Sequence, residues 1–278
     1  MKNIHGVTRI SNKNYLLSWI EKQQSWGRYT FSLEQVKREF PGISGSALAL
    51  ALSRLSGKNR IISIYKGFYM VVPPEYSARG VLPPVQFIDE LMNHIGKPYY
   101  VGLLSAAAMY GAAHQQPQEY FVVTVSKQIS TQKKGLRINY FTKARIFENL
   151  LVKQKTSTGF VKVSSPGLTA ADLVYYHNRT GGINRVCSVI NELSERIDPE
   201  MLSLDLVKAT SIPSIQRLGY IFERVVDQPQ LAEQLYKLLM TENINYYMQP
   251  LKAGGNRTRF SKDSKWKIIV NTEIEIDV

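Results

Sequence analysis

A single cysteine, Cys187, occurs in the 278 residues. It excludes an internal disulfide and any cysteine-based zinc site. It also points to a reducing compartment. No run of about 18 apolar residues occurs, so no membrane-spanning helix is expected. The opening MKNIHGVTRISNKNY has no apolar stretch of signal-peptide type, and the expected location is the cytoplasm. The four histidines, His5, His94, His114 and His177, are scattered without metal-ligand spacing. His114 reads as a structural, hydrogen-bonded histidine. No Walker loop or dinucleotide fingerprint is present, and Gly181-Gly182 reads as a helix break. Asp263-x-Lys265 has the spacing of a nuclease carboxylate–lysine pair, but no matching Pro-Asp or Glu stands upstream in a strand hairpin. Its expected role is charge in an exposed loop. These absences predict a protein that is not an enzyme, with no cofactor and no metal.

Acidic residues are also short. Lys and Arg number 35 against 22 Asp and Glu, a net charge of +13. The excess is uneven. Residues 1–80 hold 12 basic against 4 acidic residues, a net of +8, and residues 81–278 hold 23 against 18, a net of +5. A basic surplus concentrated in the first third suggests a polyanionic partner there.

The same third contains the most structured pattern in the chain, TFSLEQVKREFPGISGSALALALSRLSGKNRIISIYKGFYMVV over residues 30–72. Thr30 or Ser32 can cap a helix with Glu34 in its first turn. Leu33, Val36 and Phe40 share one face of it. Pro41-Gly42 stops it, and Ser44 can cap a second helix striped by Leu48, Ala51, Leu52 and Leu55. Ala47 and Ala49 are expected to let a neighbouring helix pack close. Ser46, Leu50, Ser53 and Arg54 point the other way. After Gly57, Arg60–Ile64 and Phe68–Val72 read as strands joined at Lys66-Gly67. Helix, turn, helix and basic hairpin is the order of a winged helix-turn-helix, whose second helix enters the major groove. The DNA-contacting candidates are Ser44, Ser46, Ser53, Arg54, Lys58, Arg60 and Lys66. The outward face of the reading helix has none of the usual base readers except Arg54. The alternative for this pattern is a three-helix domain with a hairpin used for protein contacts.

Upstream, Tyr15, Leu16, Trp19 and Ile20 form the apolar face of a first helix, with Trp26 and Tyr29 expected to close the core. PPEYSARGVLPP, residues 73–84, is a proline-stiffened linker. It divides the chain into residues 1–80 and 81–278. In the second part, Phe87 to Ile95 reads as a helix, and VGLLSAAAMYGAAH as a helix buried on several sides. Tyr120–Val125 and Leu136–Phe141 read as hairpin partners, with Ile146–Val152 and Gly159–Val163 as further strands. Thr169 is expected to cap a helix through ADLVYYHN. Val186, Val189, Ile190 and Leu193 stripe the next. Others begin near Pro199 and at Pro229, and Leu218, Ile221, Phe222 and Val225 stripe one between them. The tail has a Gly-rich basic loop and a strand. The fold class is α+β, a winged helix-turn-helix followed by a larger mixed domain with a small sheet and a helical C-terminal half.

The second part resembles a known family. YYVGLLSAAAMYGAAHQQPQEYFVVT (99–124), LTAADLVYYHNRTGGINRVCSVINEL (168–193) and IQRLGYIFE (215–223) look like the C-terminal domain of AbiEi-type antitoxins. These are the antitoxin half of type IV toxin–antitoxin systems in bacterial phage defence (abortive infection). A winged helix ahead of a proline-containing linker is similar as well. The resemblance implies a DNA-binding transcriptional repressor of its own operon, acting on double-stranded operator DNA with inverted repeats. It implies a C-terminal domain that counteracts a nucleotidyltransferase-like toxin, and no active site. It assigns no antitoxin residues. On charge alone, Arg137, Lys143, Arg145, Arg257 and Arg259 are candidates for a partner or nucleic-acid surface. Two other functions stay open: a stand-alone winged-helix regulator whose second domain senses a ligand, and a nuclease using the Asp263 region.

Overall fold

The computed structural model describes residues 15–76, 80–112, 119–254 and 259–276. They form two compact units. One takes residues up to Ile95 with the segments Thr131–Leu136 and Thr156–Gly159, and the other takes the remainder.

The first unit runs α1 (Tyr15–Ser25), β1 (Thr30–Ser32), α2 (Leu33–Glu39), α3 (Gly45–Gly57), β2 (Ile61–Tyr65) and β3 (Phe68–Val71). The strands form an antiparallel sheet in the order β1-β3-β2. This is the winged helix-turn-helix arrangement. Ser32 starts α2 with a capping box: its hydroxyl accepts from Gln35 N, and the Gln35 side chain accepts from Ser32 N. Glu34 in the first turn and Lys37 and Arg38 in the last match the helix dipole. Thr30 instead lies in β1, where its hydroxyl donates to Glu90. The core gathers Leu16 and Ile20 from α1, Phe31, Val36, Leu48, Leu52, Ile61 and Val71. A further helix, α4 (Ile88–Ile95), buries Ile88, Leu91 and Met92.

Two expectations fail here. Trp26 is 57% exposed, with Lys22 and Arg28 over its ring, so it closes no core. Ala47 and Ala49 are exposed. The helix α3 is held by one stripe, Leu48 and Leu52, and small residues off that stripe do not by themselves attract a second helix.

In chain order the rest comprises β4 (Tyr99–Val101), α5 (Leu103–Met109), β5 (Tyr120–Thr124), β6 (Thr131–Lys133, counted with the first unit), β7 (Leu136–Thr142), β8 (Leu151–Lys155) and β9 (Phe160–Ser164). Then come α6 (Pro166–Tyr175), α7 (Ile183–Ser194), α8 (Leu204–Ala209), α9 (Ile212–Arg224), α10 (Pro229–Thr241), β10 (Gln249–Pro250), β11 (Lys262–Asp263) and β12 (Ile268–Ile269). The strands of the second unit lie in the order β7-β5-β4-β9-β8, and β10-β12-β11 make a small separate sheet.

The pairing of β5 and β7 corrects the hairpin expected for them. They are parallel, with Tyr120 opposite Ile138 and Thr124 opposite Thr142. Parallel neighbours need a long connection, and residues 125–135 supply one that includes β6. Lys134 and Gly135, both at positive φ, turn the chain from β6 into β7. The apolar helix expected from Val101 is also shorter. Tyr99–Val101 is a strand antiparallel to β5, and α5 starts after Gly102. A Cβ on Gly102 would meet the Val123 side chain at 3.0 Å and the Tyr100 ring at 3.1 Å, so a glycine lets these two pack tightly at the strand-to-helix corner. His114 lies outside the described residues. Thr169 is not a cap. Ser165 caps α6 by accepting from Leu168 N, and Thr169 sits buried one turn on, its hydroxyl donating to Ser165 O. Near Pro199 only a short 3-10 turn forms before α8.

The core of this unit is continuous from Tyr100 and α5 through α6, α7 and α9 to Trp266. Gly219 on α9 makes room for Trp266: a Cβ there would sit 2.1 Å from the indole. The indole N–H donates to Glu223 at 2.7 Å.

Candidate nucleic-acid interface

The helix α3 is built to present one face. Ser44 caps it by accepting from Ala47 N at 3.3 Å, and the Ser44 and Ser46 hydroxyls lie 3.2 Å apart. Leu48 and Leu52 are buried. At about 100° per residue, Ser46, Leu50, Ser53 and Gly57 fall on the opposite line, and all four are exposed. Arg54 and Ala47 flank that line. Leu50 is 53% exposed. Beside α3, facing α1, lies a groove of about 660 Å³ whose lining includes Tyr15, Ser44, Ala47, Leu50, Arg54 and Lys58.

The cations differ in how committed they are. Arg54, Lys58 and Lys66 are exposed, and none makes an ion pair with a described residue. Arg60 pairs with Glu21 at 3.2 Å, which shares its charge within the domain. Lys66 stands at the wing tip, where Gly67 takes φ +69. Its carbonyl lies 3.0 Å from His94 Nε2, which ties α4 to the wing. Lys134 adds a cation that sequence spacing did not reveal. Its ammonium donates to the Asn59 side chain at 2.6 Å, just past the end of α3. Only the turn-forming Lys133-Lys134-Gly135 marked it in the sequence, and nothing there linked it to residue 59.

In the second unit the charge-based candidates separate. Lys143 is not a surface residue. It is buried, ion-paired with Asp172, and donates to Ala209 O at 2.7 Å. The fully buried Asp172 also accepts from the Tyr100 hydroxyl at 2.6 Å. Burial first, and the Asp172 charge second, push the Tyr100 phenol well above its ordinary range. Burial also lowers the pKa of His177, whose Nδ1 lies 2.8 Å from Val174 O. Arg137 pairs with Glu119. Arg145 is exposed and lies over the Phe147 ring, 4.5 Å from its centroid. Arg259 is exposed, and Arg257 lies outside the described residues.

Asp263 and Lys265 are both held in local bonds. Asp263 accepts from Arg224 Nε at 3.2 Å and from Trp266 N at 2.8 Å. Lys265 pairs with Glu223 at 3.0 Å and Glu233 at 3.3 Å. These bonds close the end of α9 against the terminal sheet. Among the described residues no cluster of His, Cys, Asp and Glu can hold a metal ion, and no helix is long and apolar enough to cross a membrane.

Comparison with known proteins bears on both parts. A search of curated proteins gave no match. Among solved structures, the crystal structure of the RV2827C protein from Mycobacterium tuberculosis is similar, with a TM-score of 0.65 over 91% of this chain and 89% of that one. At 12% identity the likeness shows the fold alone. Residues 100–224 match the family model for the AbiEi antitoxin C-terminal domain. That stretch runs from β4 through α9 and includes Tyr100, Lys143 and Asp172, and it is the part of the chain that is similar to the AbiEi antitoxins.

Proposed function

We propose that this protein is a cytoplasmic antitoxin of a type IV toxin–antitoxin system that binds DNA through its winged helix and represses its own operon. The reading rests on one observation, an AbiEi antitoxin domain at residues 100–224 placed behind a winged helix-turn-helix. The second unit counteracts a nucleotidyltransferase-like toxin, and Arg137, Arg145 and Arg259 are the exposed or half-exposed cations available to a partner there.

In the first unit Arg54, Lys58 and Lys66 neutralise phosphates and set the register of α3 in the major groove. Arg60 and Ser44 contribute less, since one is ion-paired and the other caps the helix. Inverted repeats bring two copies to one operator. Each phosphate contact adds about one unit to the slope of log affinity against log salt.

The test uses the full chain and its Arg54→Ala/Lys58→Ala/Lys66→Ala variant. Each is expressed with the cognate nucleotidyltransferase-like toxin and with a reporter on the operon's own promoter. Wild type is expected to restore growth and silence the reporter. The triple variant is expected to restore growth while the reporter turns on. Failure of the wild type to restore growth sinks the antitoxin reading. A silent reporter in the triple variant sinks the assignment of the DNA surface.

A further inference from the structure

We infer that α3 reads its DNA through thymine methyl groups, with Leu50 as the specificity-determining residue and the small side chains around it setting the depth of approach. The inference rests on the DNA-binding role proposed for the first unit. It starts from what the outward face of α3 lacks. Ser46, Leu50, Ser53 and Gly57 carry no amide, carboxylate or guanidinium, and Arg54 stands to one side. The paired hydrogen bonds that distinguish guanine or adenine therefore have no donor set on the centre line. A Leu at the middle of that line, more than half exposed, keeps most of its apolar surface free of the fold.

In the major groove one base presents an apolar group, the C5 methyl of thymine. The face is shaped to reach it. Ser46, Ser53 and Gly57 project little beyond the backbone, as do Ala47 and Ala49 on the flanks. A helix so trimmed can sit deep in a groove about 12 Å wide. Leu50 is then the longest side chain on the centre line and the one that meets the base edges there, with Arg54 to one side. The Ser46 and Ser53 hydroxyls, which both donate and accept, fit any neighbouring base.

The rival occupant of an exposed apolar helix face is a protein. Charge decides for DNA. α3 contains no acidic residue, Arg54 flanks the face and Lys58 follows its end, Lys66 stands at the wing tip, and none of the three has an ion-pair partner among the described residues.

The experiment selects duplexes from a library with randomised centres using the full-length chain, then remakes the enriched duplex with deoxyuridine replacing thymidine. Uracil keeps every hydrogen-bonding group and removes only the methyl. Wild type is expected to lose about fourfold in affinity for each methyl contacted, the equivalent of one buried methylene, with an unchanged salt slope. Leu50→Ala is expected to bind the thymine duplex more weakly and to ignore the uracil replacement. Since Leu50 is exposed, unaltered thermal unfolding of that variant verifies its fold. Enriched duplexes bound with a clear salt slope but indifferent to uracil overturn this inference and leave the DNA-binding role standing. A Leu50→Ala protein still sensitive to uracil overturns the assignment to Leu50. Retention of no duplex, even at low salt, overturns the DNA-binding role and this inference with it, and points to the protein occupant.

Discussion

Two alanine-rich helices, GSALALALSRLSG in the first unit and LLSAAAM in the second, meet opposite fates. In α3 only Leu48 and Leu52 are buried, and the alanines at 47 and 49 face solvent. In α5 every residue from Leu103 to Ala107 is buried. The difference lies in their neighbours. α3 is bounded by Pro41-Gly42 and a basic stretch ending in Arg60, and it packs one stripe against α1 and β2. α5 sits between the β-branched strand β5 and the apolar α6, which cover it from two sides. The basic residues divide in the same way. Arg54, Lys58 and Lys66 remain in solvent, whereas Lys143 is enclosed with Asp172. One unit keeps a lean core and a presented surface, and the other places polar groups in its interior.

The sharpest way to break this contrast is to remove Asp172. Truncating one member of a buried pair leaves the other charge without compensation, which costs roughly 3–5 kcal/mol. Asp172→Ala is therefore expected to lower the urea midpoint of unfolding strongly, and the Tyr100 hydroxyl loses its acceptor as well. Replacing both partners, as in Lys143→Met/Asp172→Leu, is expected to recover most of the loss because no orphaned charge remains. A midpoint in Asp172→Ala equal to wild type would show that the pair contributes little and that Lys143 has another route to solvent.

A weaker perturbation uses pH. Burial pushes the Cys187 thiol up to about 12 from 9.0, and the Tyr110 phenol up to about 12 from 10.0. Tyr100, Tyr120 and Tyr176 are raised too, all chiefly by burial. Each group holds its proton more tightly in the folded state than in the unfolded one. Stability from them is complete below about pH 9 and declines as pH climbs through the window from 9 toward 12. All five lie in the second unit. Urea midpoints read by circular dichroism are expected to fall between about pH 8 and about pH 10.5. The Leu50→Ala protein is expected to trace the same curve. A flat profile would mean that these phenols and the thiol titrate as readily folded as unfolded.

Periodicity revealed helices where one apolar stripe met solvent on its other side. The stripe Val186, Val189, Ile190 and Leu193 is buried as expected, and so is the core formed by Leu48 and Leu52. Strong punctuation worked for the same reason. Gly181 and Gly182 take positive φ ahead of α7, and Pro229 begins α10. Pairing partners were illegible. Nothing local states that β5 lies parallel to β7, because the alternation of side chains is the same for either direction. The buried role of Lys143 was hidden because its partner is 29 positions away, on α6, and a charge in sequence reads as solvent-facing by default. Trp26 failed in the reverse sense. Its size suggested a core, but Lys22 and Arg28 hold it at the surface by their charge against its ring. The outward line of α3 was visible as a pattern, and its lack of base-reading amides was visible too.

The smallest expected effects separate scaffold from surface within α3 itself. Ser44→Ala removes the hydroxyl that accepts from Ala47 N, and losing such a cap costs about 1 kcal/mol. Leu50→Ala removes a side chain that is more than half exposed, and changes of that kind stay within about 0.5 kcal/mol. Thermal unfolding of the two proteins side by side should rank them in that order. On the DNA-binding reading proposed above, DNA affinity should rank them in the reverse order, because Ser44 shapes the start of the helix while Leu50 is the residue assigned to the bases. If Leu50→Ala proves the more damaging to stability, its side chain is covered in solution. The face then belongs to a protein contact, and α3 presents no reading surface of the kind that its exposed alanines and serines describe.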